Sequence, residues 1–184
     1  MLRRVASGSM SLMTIRRLAP GDVDAYAALR REMLVNAPHA FTASPGDDVD
    51  PASIAASLAG DGYAIVGAFD GVSLVAAAGI NRERRAKRAH VAWICGVYVT
   101  PAFRARGLAR ALIAAAVDHA RTWPGLARVQ LSVNADSRAA RHVYESAGFR
   151  AWGTEPDALR VDGRSCDEVY LSLAMAEPPP IHGV

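Results

Sequence analysis

Two apolar runs at residues 63–69 and 73–80 are separated by only three residues, Asp70-Gly71-Val72. Asp-Gly between apolar runs is a strong hairpin signal, so the two runs are predicted to be neighbouring antiparallel strands. Parallel strands, in contrast, need a long crossover connection. The sheet that contains this pair is therefore not wholly parallel, which excludes a simple alternation of strands and crossover helices.

The other regular segments lie on both sides of this hairpin. Apolar residues at helical spacing predict helices over about 23–36, 51–60, 107–121 and 138–147. Strand-like runs cover about 14–18, 90–99, 126–133, 149–153 and 166–175, and Asp162-Gly163 is the predicted turn between the last two. The order β, α, α, β, β, β, α, β, α, β, β predicts an α/β (α+β mixed) fold, with a central mixed, mostly antiparallel sheet of about seven strands and about four flanking helices.

The length of the chain is that of a single domain. It has 184 residues, of which 51% are hydrophobic, enough to bury a sizeable core. We expect the domain to span residues 13–175. Met10 and Met13 are both alternative starts, so residues 1–12 are expected to form a loose leader. Residues 176–184 are rich in proline and are expected to form an unpacked tail.

The net charge of +3 is concentrated in one segment. Residues 82–88, Arg-Glu-Arg-Arg-Ala-Lys-Arg, contain five basic residues and one acidic residue, so the rest of the chain carries a formal charge of −1. A solvated hairpin loop is the simplest interpretation, and contact with an acidic ligand is the alternative. No aromatic residue is interleaved with the basic ones, so no nucleic-acid partner is expected.

Cysteine and histidine usage points away from metal and redox chemistry. The two cysteines, Cys95 and Cys166, lie in apolar strand-like stretches without metal-ligand spacing, so they are predicted to be reduced core thiols of a cytoplasmic protein. The five histidines are scattered, and no metal is expected. No run of about 18 apolar residues occurs, so no membrane partner is expected.

The junction between a strand and a helix at residues 97–113, VYVTPAFRARGLARALI, has the composition of an anion site. The first N–H groups of a helix lack partners within the helix and lie at the positive end of its dipole. Gly107 permits close approach of the backbone to a ligand, and Arg104 and Arg106 can add charge-assisted hydrogen bonds. The pattern favours a bound pyrophosphate, with an ordinary junction and solvated arginines as an equal alternative. A single glycine in residues 103–112 excludes the dinucleotide and P-loop motifs.

Two sequence blocks resemble the GCN5-related N-acetyltransferase (GNAT) superfamily. Arg104-Ala-Arg-Gly-Leu-Ala109 is similar to its R/Q-x-x-G-x-G/A motif. Leu131-Ser-Val133, followed by Ser137 through Tyr144 to Gly148-Phe149, is similar to its L-x-V-…-N-x-x-A-x-x-x-Y-x-x-x-G-F segment. Both blocks have the family's order and separation, and the general strand and helix order agrees over about residues 13–175. The resemblance implies a GNAT-like single domain.

The resemblance also implies acetyl-CoA as donor and co-substrate. The backbone would pair with the pantetheine arm beside the strand at 97–99, and the amides of residues 104–110 would cradle the pyrophosphate. The implied cofactor-binding residues are Val97, Tyr98, Val99, Arg104, Ala105, Arg106, Gly107, Leu108, Ala109, Arg110 and Ser137. Ser137 replaces the family's frequent asparagine and offers a single hydroxyl, which puts direct contact at that position in doubt. Asn134 would either supply the cofactor contact that Ser137 puts in doubt or form a turn. The 3′-phosphate of coenzyme A is a further acidic ligand that the basic segment 82–88 could contact.

Tyr144 is the catalytic candidate that the resemblance implies. A phenol can protonate the departing thiolate, whereas its other interpretation is a packed tyrosine with a bonded hydroxyl. The acceptor amine must lose a proton before attack. His90, Glu32, Glu155 and a water chain all remain open as the base.

The implied activity is an N-acetyltransferase that moves acetyl from acetyl-CoA to a primary amine of a small molecule by direct attack in a ternary complex. The alternatives are a protein or peptide acetyltransferase acting on an N-terminus or lysine, and a non-catalytic CoA-binding module. A long open groove would favour a peptide, and an enclosed pocket would favour a small amine. Homodimers are common among similar proteins, although no segment here demands one. The residues expected on the acceptor side are His39, Phe41, Trp152, Glu155 and Asp167.

Overall fold

Antiparallel pairing on both sides of the Asp70-Gly71 turn organises the first half of the sheet. The computed structural model describes residues 13–175, so the predicted leader (1–12) and tail (176–184) lie outside the described residues. In chain order the elements are β1 Met13–Arg17, α1 Val23–Asn36, α2 Pro51–Ala59, β2 Tyr63–Asp70, β3 Ser73–Arg82, β4 Val91–Val99, α3 Leu108–Ala120, β5 Arg128–Asn134, α4 Arg138–Ser146, β6 Arg150–Val161 and β7 Arg164–Ala174. Single 3-10 turns lie at Pro20–Asp22, Pro38–Ala40, Pro45–Asp47, Ala86–Arg88 and Pro101–Phe103.

The strands form one sheet in the order β1-β2-β3-β4-β5-β7-β6. Neighbouring strands are antiparallel except β4 and β5, which are parallel. The predicted mixed, mostly antiparallel sheet of seven strands with four α-helices is therefore confirmed across residues 13–175.

The parallel pair is short, and this opens the sheet. Residues Val91–Trp93 of β4 pair with Arg128–Gln130 of β5, and beyond Trp93 the two strands separate. Gly96 lies in the left-handed region (φ 59°), where the register between β3 and β4 shifts. A bulge of this kind bends a strand, which directs the end of β4 away from β5. One backbone edge of β4 is thus left without a neighbouring strand.

Helices cover the two faces of the sheet. The predicted apolar stripe of α3 is buried against one face, over β2 to β5. Its members are Leu108, Leu112, Ile113, Ala116, Val117 and Ala120. Helices α1 and α2 pack on the opposite face, against Ile65, Phe69, Ala77 and Tyr98. Burial of each large aliphatic side chain contributes about 1.5–3 kcal/mol, so the two clusters hold the helices to the sheet.

The hairpin of β6 and β7 differs from the sequence prediction. The strand expected at 149–153 continues to Val161. The ladder shifts between Glu155 and Leu159, and Asp157 adopts a left-handed conformation (φ 53°). The Asp157 carboxylate accepts hydrogen bonds from Arg160 and Ser165. These side-chain bonds bridge the irregularity, which a search for alternating apolar residues does not detect.

Two other expectations from the sequence concern the basic segment and membrane-spanning helices. Residues 84–88 of the basic segment are exposed between β3 and β4, in agreement with the solvated-loop interpretation. No helix within residues 13–175 is long and apolar enough to cross a membrane.

An ion pair fixes the connection from β1 to α1. The Arg16 guanidinium donates two hydrogen bonds to the Asp22 carboxylate (2.7 and 2.8 Å), which also accepts the Ala19 N–H (2.7 Å). The hydrogen bonds from Arg16 are the main cause of the lowered pKa of Asp22. A carboxyl whose pKa is lowered by folding stabilises the fold above its ordinary pKa, and this contribution is lost as the pH falls.

We expect Asp22→Asn to lower the free energy of unfolding by about 0.5–1 kcal/mol at pH 7, a modest value because the Arg16 side chain is 44% exposed. Urea unfolding of both proteins should show this difference shrinking as the pH falls below the ordinary Asp value of 3.8. Asp118→Asn is the control, because its 3.7 Å pair with Arg121 is more exposed. Equal losses for the two variants at pH 7 would contradict the role of Asp22.

Candidate active site

The opening between β4 and β5 contains nearly all of the residues predicted from the two sequence blocks. A cleft of about 470 Å³, here called the α3 cleft, lies between the end of β4, the start of α3 and α4. Its lining includes Val97, Tyr98, Val99, Arg104, Ala105, Gly107, Leu108, Ala109, Arg110, Ser137 and Tyr144. Of the predicted site residues, Arg106 alone is absent from this lining.

The loop before α3 presents a row of free N–H groups. None of the six backbone N–H groups from Ala105 to Arg110 has an acceptor within the described residues. Ala105 and Gly107 both have positive φ (60° and 77°), and alternation of this kind turns successive N–H groups towards one point. Glycine adopts this conformation readily, whereas alanine does so at a cost. The loop therefore has the form of an anion cradle, and it fits a pyrophosphate.

The two arginines of the loop donate hydrogen bonds to backbone carbonyls that precede it. Arg104 Nε donates to the Val99 carbonyl (3.0 Å), with its guanidinium 5.7 Å from the Tyr98 ring centre. Arg106 donates to the Ala102 carbonyl (3.0 Å) and lies over the Phe103 ring. Arg106 does not line the α3 cleft, so its reinforcement of the anion stays a prediction. Arg104 and Arg110 still line the cleft.

The unpaired edge of β4 forms the next part of the cleft. Val97, Tyr98 and Val99 line it, and they lie beyond the last residue of β4 that pairs with β5. An exposed strand edge can bind an extended ligand through main-chain hydrogen bonds. This geometry fits the pantetheine arm.

Ser137 and Asn134 have different roles. Ser137 precedes α4 and makes no side-chain capping bond, so its hydroxyl is available where it lines the cleft. Asn134 uses both ends of its amide, accepting the Asp136 N–H (2.9 Å) and donating to the His39 carbonyl (3.1 Å). Asn134 therefore has the turn role that was one of its two predicted roles.

A second cavity adjoins the α3 cleft at Tyr144. This α1 cavity, of about 310 Å³, is lined by α1, residues 40–43, β4, β5, α4 and β7. Tyr144, Val97, Ser137 and Phe41 line both spaces. A ligand extending along β4 and a second ligand in the α1 cavity would thus meet beside the Tyr144 ring.

The Tyr144 hydroxyl is free although the side chain is buried. It has no hydrogen-bond partner among residues 13–175, where every fully enclosed side-chain nitrogen or oxygen does have one. The hydroxyl is therefore reached from the cavities, and the alternative of a packed, bonded tyrosine is not what the structure contains. Burial, with a smaller contribution from Cys95, raises the pKa of Tyr144 to about 12. The phenol consequently stays protonated near neutral pH.

The three side chains considered as bases lie outside both cavities. His90 is at the opposite end of β4, about 23 Å from Val97 along an extended strand. Glu32 accepts a hydrogen bond from the Tyr98 hydroxyl (2.9 Å), and Glu155 accepts one from Tyr170 (2.5 Å). None of the three lines either cavity.

Glu168 of β7 is the carboxylate that lines the α1 cavity. It faces Asn134 across the β5–β7 ladder and has no hydrogen-bond or ion-pair partner in the described part of the chain. The alternation of side chains along β7 could have revealed that Glu168 faces the cavity, since Val169 and Leu171 are buried on the other face of the strand. Sequence reasoning missed it because no motif marks the residue.

Cys95 is not a core residue, and that prediction is wrong. Its side chain is exposed at the wall of the α1 cavity, whereas Cys166 is half-buried. Protein atoms nevertheless surround the thiol closely, and this burial raises its pKa. Cys95 is therefore accessible but protonated, which makes it a weak nucleophile. No group of three or more His, Cys, Asp or Glu side chains within residues 13–175 could hold a metal ion.

The part of the chain that builds the cleft matches a known family. A model described as the "Acetyltransferase (GNAT) family" matches residues 26–149. The chain is 32% identical to the N-alpha-acetyltransferase RimI of Mycobacterium tuberculosis over 152 residues, covering 82% of this chain and 87% of that protein. It is 30% identical to the L-amino acid N-acetyltransferase AaaT of Escherichia coli over 93 residues, covering 50% of this chain and 57% of that protein.

A solved structure supports the same fold. The GNAT superfamily phosphinothricin acetyltransferase of Sinorhizobium meliloti, in complex with acetyl-CoA, superposes with a TM-score of 0.78 at 19% identity. The superposition covers 90% of this chain and 89% of that one.

We expect Gly107→Ala to weaken acetyl-CoA binding roughly tenfold or more, because alanine disfavours the left-handed backbone at residue 107 that orients the free N–H groups. Gly163→Ala is a matched control in the β6–β7 turn. Both glycines have nearly the same φ (77° and 76°), and no atom lies within 4 Å of the added Cβ in either case. Both variants should lose about 1 kcal/mol of stability. Calorimetric titration with acetyl-CoA separates them, and equal affinities would contradict the cradle.

Proposed function

Because the chain belongs to the GNAT family of acetyltransferases, which use acetyl-CoA, we propose that it acetylates a primary amine of a small molecule by direct attack in a ternary complex. The observation that carries this proposal is the junction of the two cavities at the free Tyr144 hydroxyl. The α3 cleft is suited to the donor, and the α1 cavity to the acceptor. A volume of about 310 Å³ is that of a small-molecule site.

The donor is held by backbone groups in this proposal. The N–H groups of Ala105 to Arg110 bind the pyrophosphate, and the open edge of β4 at Val97 and Val99 binds the pantetheine arm. Arg104, Tyr98 and the Ser137 hydroxyl complete the cleft. Acetyl-CoA supplies an acetyl thioester and leaves as a thiolate. The cleft orients the thioester towards Tyr144, where the α1 cavity begins.

Tyr144 stabilises the departing sulfur. Its pKa of about 12 makes complete proton transfer less favourable than from an ordinary tyrosine. The hydroxyl therefore first donates a hydrogen bond to the charge that develops on sulfur, and then releases its proton as the charge becomes complete.

Glu168 removes the proton from the acceptor ammonium. Its carboxylate lines the α1 cavity and is free of protein partners within residues 13–175. It acts directly or through one water molecule, as general bases commonly do. The raised pKa of Cys95 supports direct attack by the amine, because a protonated thiol does not readily accept the acetyl group first.

A peptide N-terminus is the second candidate acceptor. Similarity to an N-alpha-acetyltransferase over 82% of the chain favours it. The α1 cavity, bounded by α1 and residues 40–43, favours a small amine instead. Both candidates place an amine beside Glu168 and Tyr144, so the chemistry is the same in each.

Tyr144→Phe is expected to lower kcat by roughly 10²-fold while leaving the Kd of acetyl-CoA unchanged, because the hydroxyl acts on the leaving group. Tyr170→Phe is the control, since its hydroxyl bonds to Glu155 outside both cavities. Steady-state kinetics and donor titration measure the two quantities. An unchanged kcat for Tyr144→Phe would remove its role.

Glu168→Gln is expected to lower kcat/KM by roughly 10²-fold at pH 7, with Glu155→Gln, its cross-strand neighbour, close to wild type. The deficit should narrow as the pH rises, because the free amine becomes more abundant in solution. A pH profile of kcat/KM from 6.5 to 9.5 tests this. A deficit that is constant across the range would show that Glu168 is not the base.

A further inference from the structure

The α1 cavity contains one positive and one negative side chain. Arg30 enters from α1 and Glu168 from β7, and all other side chains that line the cavity are apolar or uncharged polar groups. A cavity with two opposite charges on different walls is complementary to a ligand that itself carries both charges.

Arg30 is only partly used by the protein. Its Nε donates to Asp48 Oδ1 (2.7 Å), and the two side chains are 17% and 18% exposed. Asp48 is the carboxylate partner of Arg30, bonded through Nε, and the Tyr26 hydroxyl is a second hydrogen-bonding neighbour of the guanidinium. The terminal nitrogens thus face the cavity beside the Tyr26 hydroxyl, in the fork geometry that can bind a carboxylate through two parallel hydrogen bonds.

The charge of Arg30 reaches several groups of the cavity wall. Burial raises the pKa of Tyr26, Tyr63 and Cys95, and the positive charge of Arg30 partly offsets each rise. The Arg30 side chain lines the cavity and is only 17% exposed, so the guanidinium does not extend into bulk solvent.

A purely structural role explains less of this geometry. One hydrogen bond to Asp48 is sufficient to hold residues 42–50 against α1. That role would not require the guanidinium to line a cavity that a ligand can reach. A ligand carboxylate is complementary to a guanidinium in this position.

We propose that the acceptor is an amine that also carries a carboxylate, an amino acid or a similar zwitterion. Its carboxylate binds Nη1 and Nη2 of Arg30, and its ammonium binds Glu168 before losing a proton. This inference rests on the proposed function, since it concerns the acceptor of that reaction. A peptide N-terminus lacks a free carboxylate beside its amine, so Arg30 separates the two candidate acceptors.

The test compares free amino acids with their amides and with the decarboxylated amines, using acetyl-CoA and the purified chain. Wild type should show kcat/KM at least tenfold higher for the free acids. Arg30→Gln should lower kcat/KM for the acids roughly 10- to 100-fold, and for the amides by less than about threefold, which abolishes the preference. Arg30→Lys, which keeps the charge without the fork, should retain part of it.

Two further variants control for folding. Arg16→Gln removes an Arg–Asp pair far from the cavity and should leave the preference intact. Asp48→Asn removes the partner of Arg30 while keeping the guanidinium, so the preference should persist even if Arg30→Gln is unstable.

Two results would overturn the inference while leaving the proposed function in place. One is wild-type turnover of amides or amines as good as that of the acids, and the other is an equal loss for acids and amides in Arg30→Gln. Absence of acetylation for every acid, amide, amine and N-terminal peptide, with acetyl-CoA bound, would instead overturn the proposed function and this inference together.

Discussion

The site depends on the separation of two parallel strands. β4 and β5 pair over three residues each and then diverge, while each stays paired with its other neighbour. The backbone N–H and C=O groups along one edge of the end of β4 therefore have no partners in a neighbouring strand. The bulge at Gly96 produces the bend in β4, and the α3 cleft follows from it.

The same separation links two different binding environments. The α3 cleft offers main-chain N–H groups and a strand edge, which suit a long anionic donor. The α1 cavity, on the side of α1 and β7, offers two opposite side-chain charges. Tyr144 belongs to both spaces, so one hydroxyl can act where donor and acceptor meet. In the proposed function, the fold thereby separates recognition of the two substrates and brings their reacting groups to one point.

Local sequence identified the residues that line the α3 cleft far better than the charged residues that line the α1 cavity. Gly107 and the first turn of α3 form a contiguous motif whose chemistry can be read from residue types and spacing. Ala105 is different, because its left-handed backbone is imposed by the loop and alanine gives no sign of it. Arg30 and Glu168 are about 140 positions apart in sequence, so only the packing of α1 and β7 brings them to one cavity. Cys95 was predicted to be a core residue because its neighbours in sequence are apolar. The bulge at Gly96 instead opens the structure beside it, which leaves the side chain exposed.

The central claim is that the free N–H groups before and at the start of α3 bind the donor. Amide hydrogen exchange, measured with and without saturating acetyl-CoA, tests it most directly, because N–H groups without acceptors exchange rapidly until a ligand bonds them. We expect strong protection of residues 105–110 and of the end of β4, with little change in the exposed basic residues 84–88. Unchanged exchange at 105–110 under saturating donor, or protection confined to 84–88, would contradict the account.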